Sequence, residues 1–379
     1  MQTLIKSENN ASAIQPSLIL IPDISGFTEY MNTSENMHCR YIIADLIELI
    51  LDNDILGLSV SEIEGDAVLF YRYGKQPPLG KIIEQCEVMF IKFHSYLIQF
   101  ENNKLCGCKC CSNAKNLSLK FVVHYGKVSP VIIKNHNKLF GSDIILSHKL
   151  LKNNIDKNEY ILLTDTYLNA QSDGDKTKYD NDKALTGGSI KYEHIGTVQF
   201  YTYDLSFLKQ KITYNHPMLP RLKEKNPITY SIYINAPPVF VKDIITDFKF
   251  KPNWITILNN ISYDEKTIPQ IGAKHRCIMN DIFLKPVVID YESIYLSSDN
   301  KTYVEKLKSK FIGLDAVLYF EMINKGLGTL LKLELHLIHT DFYSRFIKIL
   351  FKRKSSQRRI KYSLIKLKSL CESVYNKYL

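Results

Sequence analysis

Two carboxylates are the residues whose setting most suggests chemistry. Asp23 closes an apolar run, Leu18-Ile19-Leu20-Ile21-Pro22, and is followed by Ile24-Ser25-Gly26-Phe27-Thr28. Asp66 closes Glu62-Ile63-Glu64-Gly65 and precedes Ala67-Val68-Leu69-Phe70-Tyr71. An apolar run ending in a carboxylate and a Gly turn reads as a buried strand that delivers an acid to its own end. Two Asp at neighbouring strand ends suit Mg²⁺, which takes one or two carboxylates and leaves positions for phosphate oxygens. The backbone N–H groups of Ser25, Gly26, Phe27 and Thr28, at the start of a helix, then face a triphosphate.

A second cluster is Cys106-Gly107-Cys108-Lys109-Cys110-Cys111, four of the chain's eight cysteines. Its Cys-x-Cys-x-Cys-Cys pattern differs from the paired Cys-x-x-Cys of common zinc sites. Cys106, Cys108, Cys110 and Cys111 nonetheless suffice to wrap one Zn²⁺, or to share one between chains. The alternative is thiols on a loop tip, with His94 and His124 as ordinary core histidines or as extra ligands.

Charge is uneven along the chain. The formal net charge is +10, and from Thr340 to Leu379 there are 11 Lys and Arg against Asp341 and Glu372, so one terminal segment carries nine of the ten charges. That distribution argues against nucleic acid as a partner. It fits a solvated face on a final helix, with Ile360, Leu364, Leu367, Cys371 and Val374 packing inward. The second option is peripheral contact of Lys352–Arg359, beside Phe342, Phe346 and Phe351, with anionic lipid heads. No apolar run approaches the ~18 residues of a membrane span. Met1–Gln15 lacks a signal-peptide core. A cytoplasmic protein is expected.

The elements that must position these groups follow from periodicity. Residues 1–16 read as a disordered lead-in and 17–205 as the first domain. In that domain a strand at 18–23 leads into a helix from about Phe27 to Leu51. A hairpin at 57–71 turns at Gly65-Asp66, and a helix follows at 79–101. Strands at 117–133, a short helix at 141–153 and a strand at 160–164 come next. A polar loop, Gln171–Gly188, precedes strands within 189–205. This α+β order gives a ferredoxin-like α/β sandwich. A Lys- and Pro-bearing linker spans 206–226. Residues 227–379 then read as strand, short helix, five strands and a long helix: a helix-grip fold around an apolar cavity.

The first domain resembles the catalytic domain of class III adenylate and guanylate cyclases. The resemblance rests on Asp23-Ile24-Ser25-Gly26-Phe27-Thr28, on Gly65-Asp66 placed 43 residues after Asp23, and on Phe121-Val122-Val123-His124-Tyr125-Gly126. It implies that Asp23, the Ile24 carbonyl and Asp66 hold two Mg²⁺ or Mn²⁺ ions. It further implies that a nucleoside triphosphate is bound, and that the protein is a homodimer with its site at the subunit interface. It places base selection at Glu62 and Lys138 and transition-state support at Ile145 and Lys149; the triphosphate Lys falls on Ile195. Glu62 matches guanylate cyclases, whereas Lys138 matches neither subclass. Ile145 cannot donate a hydrogen bond, and Lys149 lacks the planar fork of an Arg. Each lost donor typically costs ~10²–10³ in rate, so weak or degenerate cyclase activity is expected.

The second domain resembles the SRPBCC (START-like, polyketide cyclase-like) ligand-binding fold. The residues that carry this are Ile232-Tyr233-Ile234-Asn235-Ala236-Pro237-Pro238, Val241, Asp247-Phe248, Trp254 and Gly272. The combination is similar to an uncharacterised bacterial family of this architecture. Three functions stay open. One is a signalling-type protein that couples nucleotide and metal binding to a hydrophobic ligand. Another is a non-enzymatic lipid carrier with the cyclase-like domain as dimerisation scaffold. The third is an active cyclase with altered catalytic residues.

Overall fold

The computed structural model describes residues 14–32, 37–134, 136–171, 185–219, 227–264, 266–280, 285–338, 349 and 354–377, without the side chains of 133, 136 and 137. These fall into two compact units, one within 1–99 and 112–214, the other within 100–111 and 215–379. Most of the expected lead-in, much of the polar 171–188 run, the end of the linker, and Phe342, Phe346, Phe351, Lys352 and Arg353 lie outside the described residues.

The first unit is built on β1 (Gln15–Ser25), whose Leu18, Ile19, Leu20 and Ile21 have no exposed surface. Such a continuous apolar run requires cover on both faces, and β1 is accordingly a central strand. After it come α1 (Phe27–Asn32), α2 (Met37–Asp52), β2 (Ser59–Glu64), β3 (Ala67–Tyr73) and α3 (Leu79–Asn103). Then follow α4 (Lys109–Asn113), β4 (Ser118–Ile133), β5 (His136–Phe140), α5 (Ser142–Leu151), β6 (Tyr160–Thr164), α6 (Asp165–Asn169), β7 (Leu185–Tyr192) and β8 (Gly196–Asp204). The strand order is β2-β3-β1-β4-β6-β8-β7, with β5 paired to β4. A β-α-β-β-α-β chain with spatial order β2-β3-β1-β4 is ferredoxin-like.

Several details differ from the sequence reading, among them the added strand β5 and the short helix α4. The single helix expected over 27–51 is two helices, α1 and α2. The polar run expected to end at Gly188 gives way to β7 at Leu185, where Gly188 lies against Phe200 so closely that a Cβ would stand 2.8 Å from the ring.

The second unit is a seven-stranded antiparallel sheet in the order β10-β11-β12-β13-β14-β15-β9. Its elements are β9 (Ile228–Ile234), α7 (Pro238–Thr246), α8 (Lys251–Trp254), β10 (Leu258–Ser262), β11 (Lys274–Met279), β12 (Val287–Leu296), β13 (Thr302–Ser309), β14 (Leu314–Lys325), β15 (Gly328–Leu337) and α9 (Lys354–Tyr375). Leu364, Leu367 and Cys371 of α9 pack with Ile234, Val241, Trp254 and Phe320, while Lys354, Arg358, Lys361 and Lys366 face solvent. β10 was not anticipated; its Leu-Asn-Asn-Ile-Ser sequence is too short and polar to read as a strand alone, and it exists by pairing with β11. Residues 100–111 anchor here. Leu105 is fully buried, its N–H donates to Pro269 O at 2.9 Å, and Ile271 N–H donates to Asn103 O at 2.8 Å.

Candidate functional site

Asp23 faces two partners across the sheet, Ala67 on β3 and Lys120 on β4. Ile24 N–H donates to the Asp66 carbonyl at 3.3 Å, which ties the β2–β3 turn to the end of β1. The turn depends on Gly65, at φ +65°. Gly26, at φ +86°, opens the loop on the other side, and its carbonyl accepts from Tyr30 N–H at 3.0 Å. Both glycines occupy left-handed backbone that other residues adopt only under strain.

These pieces line one cavity of about 710 Å³, shared by Asp23, Asp66, the loop Ser25–Thr28 and Lys149. Its volume falls within the ~300–1,000 Å³ typical of ligand sites. Asp66 is pushed up to about 6, first by burial and then by the Asp23 charge. Asp23 is also raised by burial, against the opposing pull of Lys120. A buried carboxylate raised further by the charge of a second one is the kind of group whose ionised form a cation favours. Both are hard oxygen ligands of the kind Mg²⁺ and Mn²⁺ take.

Lys120 was not foreseen. Its Nζ stands 3.2 Å from Asp23 Oδ2 and 3.0 Å from Leu151 O, so an ammonium already balances one carboxylate. His148 was also missed. Its Nε2 lies 3.4 Å from Glu62 Oε1 and its Nδ1 3.7 Å from Glu64 Oε2, and it lines the cavity.

The base-selection pair expected at Glu62 and Lys138 meets as an ion pair, Nζ to Oε2 3.2 Å, outside the set of residues lining the cavity. Lys149 does reach the cavity, with its Nζ over the Tyr192 ring at 5.8 Å; Ile145 lines the same wall.

The Phe121–Gly126 strand places α5. Buried His124 pairs with Asp143 Oδ1 at 3.1 Å and with Thr164 Oγ1 at 2.9 Å, and Asp143 Oδ2 accepts from Lys127 N–H at 2.7 Å. Gly126 makes room for that carboxylate, since a Cβ would stand 2.3 Å from Asp143 Cγ. His124 is therefore a satisfied core residue that fixes the helix bearing His148 and Lys149. His94 bonds Ser118 Oγ at 3.3 Å, and burial holds it down at about 4. Neither histidine joins the cysteines.

Of the four clustered cysteines, Cys110 is disulfide-bonded and leaves the expected zinc ligand set. The Sγ atoms of Cys106, Cys108 and Cys111 lie within 4.8 Å of one another.

In the second unit a cavity of about 140 Å³ is lined by Tyr230, Trp254, Leu318, Phe320, Lys251 and Glu305 among others. Lys251 Nζ lies 2.6 Å from Glu305 Oε1, and the side chains are 2% and 1% exposed. Among the described residues no helix is long and apolar enough to cross a membrane.

A family model described as "Protein of unknown function (DUF2652)" matches residues 43–160. The "Uncharacterized protein Rv2561/Rv2562" of Mycobacterium tuberculosis is 29% identical over 164 residues, 43% of this chain and 74% of that protein. Among solved structures, the guanylyl cyclase Cya2 matches 51% of this chain and 93% of its own, at 11% identity and a TM-score of 0.34. The adenylyl cyclase CyaB from P. aeruginosa matches 51% of this chain and 95% of its own, at 13% identity and a TM-score of 0.33.

Proposed function

We propose that the first unit binds a nucleoside triphosphate together with Mg²⁺ or Mn²⁺, and that it turns over weakly as a nucleotidyl cyclase or not at all. The observation that carries this is the convergence of Asp23 and Asp66 on one cavity with both carboxyls raised toward neutrality. Asp23, Asp66 and the Ile24 carbonyl would hold the ions, whose chemistry is to neutralise phosphate charge and activate a hydroxyl. Ser25, Gly26, Phe27 and Thr28 would take phosphate oxygens on their amides. Weak turnover follows from Ile145 on the cavity wall and from Lys120, which must yield Asp23 to an arriving cation. By the resemblance, the binding species is a homodimer.

The second unit, in the same reading, is a START-like domain for a hydrophobic ligand. Its aromatic-walled cavity supports this, with buried Trp254 Nε1 lacking a partner among the described residues and so offering a donor. A second reading, favoured by the Lys120–Asp23 ion pair, leaves the first unit as a scaffold and ligand carriage as the whole activity.

Isothermal titration of ATP and GTP with Mn²⁺ separates the two. Metal-dependent binding by the wild type and none by Asp23→Ala supports the first. No nucleotide affinity, with lipid co-purifying in native mass spectrometry, supports the second. Assay of cyclic nucleotide from the purified dimer reads turnover directly.

A further inference from the structure

We propose that Cys106, Cys108 and Cys111 form a three-thiolate site for Zn²⁺, independent of the nucleotide cavity. The three sulfurs lie within 4.8 Å of one another. Tetrahedral Zn²⁺ with bonds of about 2.3 Å needs sulfurs roughly 3.8 Å apart, so closure takes movements of an ångström or less. Soft thiolates in this number select zinc over the hard cations of the carboxylate site.

The backbone already favours sulfur as a ligand. The Cys111 amide N–H donates to Cys108 Sγ at 3.5 Å, the kind of outer bond that orients a metal-bound thiolate. Cys108 and Cys111 form a Cys-x-x-Cys step that the neighbouring Cys110 conceals in the sequence. With Cys110 drawn into a disulfide, that step and Cys106 remain as the ligand set.

The segment is held before any metal arrives. Besides the two backbone bonds that fix Asn103 and Leu105, Lys242 Nζ donates to Leu105 O at 2.8 Å and Lys104 Nζ to Cys111 O at 3.3 Å. Such support lowers the ordering cost of ligation. Cys106 and Cys108 also border a cavity of about 460 Å³ that gives an entry path. Gly107 keeps the segment close to α7, because a Cβ there would stand 3.1 Å from an Asp243 carboxylate oxygen. The fourth ligand is read by experiment.

The test uses the full chain, expressed with zinc and purified in reductant without chelator. Elemental analysis is expected to give about one zinc per chain, retained in Cys277→Ser and lost to background in Cys108→Ser and Cys111→Ser. Should the variants fold poorly, the wild type alone decides. Zinc-edge X-ray absorption is expected to show three sulfur neighbours, and Co²⁺ replacement a thiolate-to-cobalt charge-transfer band. Wild type without zinc and without that band overturns the proposal, as do fewer than three sulfur neighbours. A Cys108–Cys111 disulfide in the reductant-purified protein also overturns it, and would assign the pair to redox chemistry.

Discussion

Two of the lysine–carboxylate pairs in this chain sit in opposite settings, one beside a cavity and one in the core. In the first unit Lys120 contacts Asp23 at 3.2 Å, with the side chains 17% and 14% exposed beside a large cavity. In the second, Lys251 contacts Glu305 at 2.6 Å with 2% and 1% exposed. The first pair keeps some exposed surface and lines the cavity, so its partners can be exchanged. The second is sealed. Tyr303 Oη donates to Glu305 Oε1 at 2.8 Å, and Lys251 Nζ sits over the Tyr291 ring at 4.7 Å. The same two charges stay exchangeable beside a cavity and form a structural lock in the core.

Breaking the lock gives the largest effect expected. Lys251→Met leaves Glu305 buried without its cation and is expected to destabilise the second unit by about 3–5 kcal/mol in urea unfolding. Lys251→Met with Glu305→Leu is expected to recover most of that loss, because a well-packed apolar pair replaces a buried ion pair at little cost. A double variant as unstable as the single one would show that shape, not charge, holds the site.

The open pair answers in ligand affinity instead. Lys120→Met removes the cation competing for Asp23 and is expected to raise Mn²⁺ affinity at pH 8 by about tenfold, with stability changed by no more than ~1 kcal/mol. Unchanged or weaker Mn²⁺ binding would place Lys120 among the groups that assist the ligand.

The pH dependence has a definite sign. The folded-state value of Asp66, about 6, lies above the ordinary 3.8. Without metal, the stability from this group is complete below pH 3.8 and is lost as pH rises through about 6. Metal affinity runs the other way and falls as pH drops below 6. Melting temperatures with and without Mn²⁺ between pH 4.5 and 8 are expected to diverge with rising pH, and Asp66→Asn removes the divergence. The smallest effect belongs to the half-exposed Lys138, paired with Glu62, where Lys138→Ala is expected to shift stability by less than ~0.5 kcal/mol.

What the sequence makes legible is local. A strand that ends in Asp23, a Gly65-Asp66 turn and a helix stripe are each written in neighbouring residues, and the order of elements follows. What it hides is register. Lys120 lies in the alternating strand Ser118-Leu119-Lys120-Phe121 and reads as solvent-facing until pairing sets it opposite Asp23. His148 gains meaning only when α5 meets the β2 glutamates. Lys251, in Phe248-Lys249-Phe250-Lys251, looks like any surface lysine, and only the closed sheet shows that it is buried. The Cys108-x-x-Cys111 step was masked by an adjacent cysteine.

The most direct measurement is a Mn²⁺ titration followed by electron paramagnetic resonance at pH 8 with nucleotide present. It compares wild type with Asp23→Asn and Asp66→Asn. If the two carboxylates share a cation, the wild type depletes the free Mn²⁺ signal and each variant leaves it at the protein-free level. A variant that binds Mn²⁺ as the wild type does, or a wild type that binds none, contradicts the account.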